Sequence, residues 1–245
     1  MISFDTEKNS ILYKIFDTLK NLDCDSMLFK ITLDGVYIQS TDMAKICILD
    51  IKINKKYFEN YKVDSVCSID LDIEFINKVC KIFNKKNKTN FEVKENYLYI
   101  RSIRESEEDI EKQYRININY NNSYDIIDIH KLILENNYEM KSSDLLNICN
   151  DLNIFSDDMT ITLNNKNICF SITNDLGDTQ YYLDTIKNDY KIIAAFKLKF
   201  IIKCKLIQLF EKINFKIDND KPIVLILQEE NININYILAP NYICE

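Results

Sequence analysis

The chain has 245 residues, 47% hydrophobic and 28% charged, with a formal net charge of −7. This composition is sufficient to build a substantial core in one large domain or two ordinary ones. Only two glycines and one histidine, His130, occur, which excludes glycine-rich phosphate loops and histidine-rich metal chemistry. The sequence also has no C-x-x-C pair and no G-x-S-x-G motif. We therefore predict no cofactor, no metal and no catalytic residue; an enzyme using surface carboxylates alone is the one enzymatic alternative.

Two further features concern the compartment. The N-terminal stretch MISFDTEKNS has neither a basic nor an apolar region of a secretion signal, and no apolar run approaches the roughly 18–20 residues of a membrane span. Cys47, Cys80, Cys169 and Cys204 lie within apolar stretches, where free cysteine behaves as a small hydrophobic residue. We expect buried, reduced thiols in a protein that is not secreted and does not enter membranes.

The first half of the chain alternates helical and strand patterns. A helix is predicted over about 9–21, with Ser10 as its N-cap and an apolar face that includes Ile11, Ile15 and Leu19. Residues 25–41 alternate with period two around the turn Asp34-Gly35, which predicts a hairpin. A second helix is predicted within 76–88, and it leads into strands that begin near Phe91.

The second half repeats this order. A helix is predicted over about 142–153, with Ser142 or Ser143 as its N-cap, followed by a hairpin over 157–173. A fourth helix is predicted over 196–206, before strands near Phe215. Offsets of 132 residues between the hairpins and 124 between the later segments preserve the order. We predict an α+β fold with similar domains at 1–118 and 137–245, joined by a polar linker at 119–136.

Several segments resemble the proliferating cell nuclear antigen family of sliding DNA clamps. They are the helix from Ser10 to Leu22, D-G-V-Y-I-Q-S-T-D from Asp34 to Asp42, I-C-N-D-L from Ile148 to Leu152, and Y-I-L-A-P from Tyr236 to Pro240. The resemblance implies a non-enzymatic homotrimeric ring around double-stranded DNA, with helices lining the hole and sheets outside. It further implies DNA polymerase and other clients, an ATP-dependent clamp loader, and a location in the nucleus or in a cytoplasmic viral factory.

Two other roles for the same fold stay open at this point. The chain could be one subunit of a heterotrimeric checkpoint clamp, or a viral transcription factor derived from a clamp. Neither is distinguished from a homotrimeric processivity factor by any motif in the sequence. The abundance of Asn, Ile and Lys is typical of an AT-rich genome and does not decide between these roles.

The placement of lysines is compatible with a DNA-encircling role despite the net negative charge. The region 76–88 contains Lys78, Lys81, Lys85, Lys86 and Lys88 without an acid, whereas the acidic run 105–111 lies between predicted strands. Lysines contact phosphates without reading base sequence. The resemblance assigns as DNA-facing Lys14, Lys20, Lys78, Lys81, Lys199, Lys203 and Lys205. Asp144, Asn147 and Asn150 occupy the third helix where the family usually has basic residues, so we expect a weak contribution from that helix.

The resemblance also implies two protein-binding surfaces. A client-peptide site beneath an extended linker is expected at Thr41, Lys45, Ile46, Ile48, Ile127, Ile129, His130, Pro222, Ala239 and Pro240. His130 stands where the family generally has proline. Ring closure is expected between edge strands near 114–118 and 178–183, with apolar contacts from Tyr114, Ile116, Tyr181 and Leu183.

Overall fold

The computed structural model describes residues 1–7, 10–24, 26–83, 88–103, 111–120, 127–164, 167–175, 177–184, 191–219 and 221–241. The chain forms two compact units. Unit 1 comprises residues 1–45, 49–127 and 229–234, and unit 2 comprises residues 46–48, 128–228 and 235–245. Each unit combines two helices with mainly antiparallel strands, which confirms the predicted α+β fold.

Unit 1 carries helices α1 (Ile11–Asn21) and α2 (Ile73–Phe83). Its strands are β1 (Ile2–Thr6), β2 (Ser26–Thr32), β3 (Gly35–Thr41), β4 (Cys47–Asn54, whose first two residues belong to unit 2), β5 (Glu59–Val63), β6 (Cys67–Asp72), β7 (Thr89–Lys94), β8 (Tyr97–Ser102), β9 (Gln113–Asn117) and β10 (Asn119–Tyr120). One sheet has the order β5-β1-β7-β8-β9 and another the order β10-β6-β2-β3-β4. The predicted hairpin at 25–41 is the antiparallel pair β2–β3, in which Thr32 opposes Gly35.

Unit 2 carries helices α3 (Ser142–Leu152) and α4 (Leu198–Lys203). Its strands are β11 (Asn137–Lys141), β12 (Asp158–Leu163), β13 (Asn167–Asn174), β14 (Gly177–Asp184), β15 (Ile192–Lys197), β16 (Lys212–Lys216), β17 (Ile223–Glu229) and β18 (Ile232–Leu238, whose second half belongs here). The strand orders are β14-β13-β12-β15 and β18-β17-β16-β11. The predicted hairpin at 157–173 is β12–β13, although residues 165 and 166 of its turn lie outside the described residues.

The helices form because their apolar residues recur at helical spacing and bury one face. In α1, Leu12, Ile15, Phe16 and Leu19 are fully buried, and in α3, Cys149 and Leu152 are. The side chain of Asp72 begins α2, since its Oδ1 accepts a hydrogen bond from the amide of Phe75 at 2.6 Å. The opposite face of each helix is exposed to solvent, and its side chains are therefore the candidates for contact with a partner.

The structure corrects several predicted boundaries. Helix α2 begins at Ile73, three residues before the predicted start, because Asp72 ends strand β6 and caps the helix. Helix α4 is shorter than predicted, because residues 196 and 197 continue strand β15. Ser142 and Ser143 lie inside α3, whose N-cap is Lys141, and the Ser10 side chain makes no capping hydrogen bond. Strands β1 and β11, which precede α1 and α3, were not predicted.

The described cysteines are all buried and free, as their apolar surroundings predicted; Cys244 lies outside the described residues. Burial raises the pKa of the Cys149 and Cys204 thiols to about 12, so both remain protonated at neutral pH. Among the residues the structure describes, no helix is both long and apolar enough to cross a membrane.

The chain's two glycines offer a matched test of the β2–β3 turn. Gly35 has φ +144°, and a Cβ there would lie 2.0 Å from the carbonyl oxygen of Ile53. Gly177 has nearly the same φ, +143°, but a Cβ there meets nothing within 4 Å. Both alanine variants suffer backbone strain of about 1–3 kcal/mol. We expect Gly35→Ala to lose about 2 kcal/mol more in free energy of unfolding than Gly177→Ala, because of the added clash. Urea unfolding measures both, and equal losses would contradict the close approach.

Candidate functional site

Four lysines lie on the solvent face of the helix pair in unit 1. Lys14 and Lys20 on α1 and Lys78 and Lys81 on α2 are all exposed. The Nζ of Lys81 lies 3.3 Å from Oδ1 of Asp17, so this ion pair joins α2 to α1. The predicted residues of unit 1 therefore share one surface. We call these four lysines, with Asp17 and Glu74, the lysine face.

The lysine face also contains an acid that the sequence interpretation missed. Glu74 lies on the first turn of α2 and its Oε1 is 2.6 Å from Nζ of Lys78. The hydrogen bond between them raises the pKa of Lys78 and lowers that of Glu74, and the charge of Lys20 lowers the Glu74 pKa further. The prediction that this helix contains no acidic residue is wrong, because the helix begins before residue 76. Four lysines and two carboxylates leave a net charge of two on α1 and α2.

Of the three other lysines predicted for the second helix, only Lys88 lies within the described residues. Lys88 lies beyond α2 and contacts Glu59 at 2.9 Å and Glu7 at 3.2 Å. Lys85 and Lys86, and residues 105–110 of the acidic run, lie outside the described residues.

The helix pair in unit 2 is less basic. Lys199 is exposed, with its Nζ 5.1 Å from the ring centroid of Phe200, whereas Lys203 and Lys205 are half-buried. Lys205 lies in the turn after α4, not in the helix as predicted. Helix α3 exposes Asp144, Asn147, Asn150 and Asp151 and has no basic residue. The two lysines of α4 and the two aspartates of α3 leave these helices without net charge.

A partly exposed apolar cluster occupies another part of unit 2. Leu134, Val224 and Ile237 are buried, and around them pack the half-buried side chains of Ile48, Ile129, Leu132 and Ile226. The amide of Ala239 donates to the carbonyl of Ile46 at 2.8 Å, which holds two more predicted residues together. Pro222, Ala239 and Pro240 are half-buried. We call Ile48, Ile129, Leu132 and Ile226 the apolar patch.

The backbone at the linker end departs from the predicted extended form. Residues Ile129–Lys131 make a single 3-10 turn, in which the amide of Leu132 donates to the carbonyl of Ile129 at 3.0 Å. The alternation of Ile127 and Ile129 thus does not continue as a strand. The backbone of His130 lies in this turn, but its side chain lies outside the described residues.

The remaining predicted peptide-site residues belong to unit 1. Thr41, at the end of β3, is half-buried, and Lys45 is exposed. Lys45 has a left-handed backbone, φ +56°, and its amide donates to the carbonyl of Asp42 at 2.9 Å. A lysine held at positive φ is unusual and marks a tightly determined turn.

A buried polar network, which the sequence interpretation missed, holds Ile127. Gln39, only 1% exposed, accepts a hydrogen bond from the Ile127 amide at 2.8 Å and donates to its carbonyl at 3.0 Å. The second hydrogen of the same Nε2 is shared between Oδ1 of Asp50 at 3.0 Å and the hydroxyl oxygen of Tyr37 at 2.8 Å. The hydroxyl of Tyr37 donates to Asp50. The Gln39 side-chain amide thereby pairs with both backbone polar groups of Ile127, as a neighbouring strand would. Ile127 is the last residue of this segment that belongs to unit 1.

The strands predicted for ring closure lie at the ends of their sheets as described. β9 ends the order β5-β1-β7-β8-β9, and β14 ends the order β14-β13-β12-β15. Tyr114, Tyr181 and Leu183 are half-buried, whereas Ile116 is only 6% exposed and packs in its own core. The hydroxyl of Tyr181 donates to Oδ2 of Asp151 at 3.0 Å, which fixes its ring against α3.

We expect Gln39→Ala to free the backbone of Ile127, because the amide and the carbonyl lose their buried partner at once. Each lost hydrogen bond is worth roughly 1 kcal/mol, so the loss of both should accelerate amide exchange at Ile127 about thirtyfold. Hydrogen–deuterium exchange followed by NMR measures this directly.

Ser102→Ala is the matched control, since its buried Oγ accepts from the Lys112 amide at 2.8 Å elsewhere in unit 1. That variant should leave the exchange of Ile127 unchanged. If Gln39→Ala leaves it unchanged as well, the network does not hold the segment.

No group of three His, Cys, Asp or Glu side chains within the described ranges is placed to hold a metal ion.

Comparison with known proteins points to one family. Residues 1–131 match the family model "Proliferating cell nuclear antigen, N-terminal domain". Proliferating cell nuclear antigen 2 of Drosophila melanogaster is 22% identical, over 98% of this chain and 97% of its own. Proliferating cell nuclear antigen of Saccharomyces cerevisiae is 20% identical over 99% and 98%. A probable DNA polymerase sliding clamp of Autographa californica nuclear polyhedrosis virus is 18% identical over 80% and 75%. The chain belongs to the proliferating cell nuclear antigen family.

Proposed function

We propose that this protein is a DNA polymerase processivity factor, a sliding clamp that encircles duplex DNA and tethers other proteins to it. The observation that carries the proposal is the family membership of a chain built as two helix-and-sheet units. The family is one of non-enzymatic scaffolds. The similarity to a viral protein named as a probable DNA polymerase sliding clamp supports the same role here.

The lysine face supports contact with DNA in unit 1. Flexible ammonium groups attract phosphates without fixed geometry, so binding is independent of sequence and permits sliding. Because α3 and α4 carry no net charge, the helices of unit 1 supply most of the attraction in this proposal. Lys199 is the contribution of unit 2, and Lys203 and Lys205 contribute less because they are half-buried.

The apolar patch supports recruitment of clients through short peptides with apolar anchors. Partly exposed aliphatic side chains around a buried centre are typical of such a groove. The proposed peptide site in unit 2 consists of the patch with Ile46, Pro222, Ala239 and Pro240. Thr41, Lys45, Ile127 and His130 are further candidates that come from the family resemblance alone. DNA polymerase is the first expected client.

The assembly is proposed as a homotrimer. Edge strands β9 and β14 support head-to-tail pairing between copies, and head-to-tail contacts that close give a ring. An ATP-dependent clamp loader would open it. The domains 1–118 and 137–245 with the linker 119–136 would each occur three times. The location would be the nucleus, or a viral replication factory in the cytoplasm.

We expect the loaded protein to stay on circular DNA through a high-salt wash and to leave once the circle is cut, because encirclement depends on topology and not on ionic contacts. Retention on nicked circles and on linearised DNA of the same sequence measures this. Equal retention on both would contradict encirclement. A purified protein that stays at 29.0 kDa by light scattering would instead favour a subunit of a heterotrimer or a clamp-derived transcription factor.

A second prediction concerns the lysine face. Lys78 and Lys81 are already paired with carboxylates, so the better test is the double reversal Lys14→Glu and Lys20→Glu. We expect polymerase stimulation on primed circles to fall about tenfold or more, because phosphate contacts are replaced by repulsion. Reversal of Lys199 alone should cost less.

The matched control reverses Lys62 and Lys94, two exposed lysines on strands β5 and β7, with the same change in net charge. This control should retain stimulation. A loss equal to that of the Lys14 and Lys20 variant would mean that only total charge matters and that the lysine face does not meet DNA.

A further inference from the structure

The two edge strands β9 and β14 present opposite charges on their open faces. Exposure alternates along β9, with Gln113, Arg115 and Asn117 exposed and Tyr114 and Ile116 turned inward. It alternates along β14 as well, with exposed Asp178, Gln180 and Tyr182 between half-buried residues. The open face of β9 therefore carries a cation, and that of β14 carries an anion and two neutral groups that can accept hydrogen bonds.

The side chain of Arg115 is positioned by an aromatic ring. Its guanidinium lies over the ring of Tyr97, 4.6 Å from the centroid, and Arg101 lies over Tyr99 at 4.9 Å. Arg101 is neutralised by Glu92 and bonded to Gln113, whereas Arg115 makes no ion pair with any residue in the described ranges. The chain has three arginines, and the two within the described residues, Arg101 and Arg115, lie on the neighbouring strands β8 and β9. A stacked, planar guanidinium suits a fixed contact with a carboxylate better than lysine does.

Asp178 is the matching group on the other edge. It is exposed on β14, near the strand's first residue, and the described residues include no cation paired with it. The hydroxyl of its exposed neighbour Tyr182 donates a hydrogen bond to Oε1 of Gln180. The Asp178 carboxylate is therefore the group on this face that a cation from another copy would pair with.

The geometry of an antiparallel pair determines which groups meet. Residues opposite each other project from the same face of the sheet. When Tyr114 and Ile116 of one copy continue the covered face of Tyr181 and Leu183 of the next, Arg115 must emerge on the face of Asp178, Gln180 and Tyr182. A β9–β9 pair in full overlap would instead place Arg115 directly opposite Arg115, and like charges directly opposite are destabilising.

We propose that Arg115 of one copy and Asp178 of the next form an intersubunit charge pair that selects β9–β14 pairing over β9–β9 pairing. This inference rests on the proposed ring, and it names the residues that give the interface its direction. Apolar contacts would bury surface area in either pairing. The charge pair favours β9–β14 pairing over β9–β9 pairing. The selected pairing is head-to-tail, which a closed ring needs, whereas β9–β9 pairing ends as a dimer.

A charge swap tests the proposal. The variants are Arg115→Asp, Asp178→Arg and the double swap, and light scattering across a dilution series gives the concentration of half-assembly. Each single variant should raise that concentration about tenfold or more, because it places like charges together. The double swap should restore assembly to near the wild-type concentration. Lys62→Asp on β5, the other edge strand of the same sheet, is the control and should have no effect.

The outcomes separate this inference from the proposed function. Single variants that assemble like wild type, or a double swap no better than the singles, would overturn the charge pair while leaving the ring intact. A wild-type chain that is monomeric at every concentration would overturn the ring and the charge pair together. Thermal unfolding of each variant confirms that a loss of assembly does not reflect a loss of folding.

Discussion

Each unit of this protein depends on burying one face of a pair of helices against strands. The buried faces of α1 and α3 are closely filled, with Leu12, Ile15, Leu19 and Leu152 excluded from solvent. Hydrophobic burial fixes which side of each helix remains in water, and therefore which charged groups lie together there. The lysine face is a consequence of that packing, since Lys81 and Asp17 meet only because α2 lies beside α1.

The same principle explains why the two units differ in charge. Helix α3 buries Leu145, Ile148, Cys149 and Leu152 on one face, but its exposed side carries only serine, aspartate and asparagine. Helix α4 has only six residues, so it presents fewer positions to solvent. A repeat of the fold therefore need not repeat the electrostatic field, and one unit can carry most of the attraction for a polyanion while the other provides spacing and client contacts.

The sequence predicted the hairpins and the first and third helices well, because alternation and helical spacing are local patterns. The start of α2 was missed because Cys67, Ile69 and Leu71 alternate as a strand up to the capping Asp72, and Glu74 was overlooked with it. Helix α4 was predicted too long because residues 196–206 are apolar on several sides. The role of Gln39 could not be predicted, since its partner Ile127 is 88 residues away and only the fold brings them together. The edge position of β9 and β14 was expected only from the family resemblance, because it depends on the order of all the strands in a sheet and not on local alternation.

The scarcity of glycine has a consequence for the backbone itself. Both glycines occupy positive φ, and within the described part of the chain four further left-handed positions are filled by Asp23, Lys45, Asn60 and Glu95, with φ between 49° and 58°. Lysine and glutamate in this conformation each sacrifice about 1 kcal/mol that glycine would not. The turns at Lys45 and Glu95 therefore hold backbone strain that a residue without a Cβ would not have.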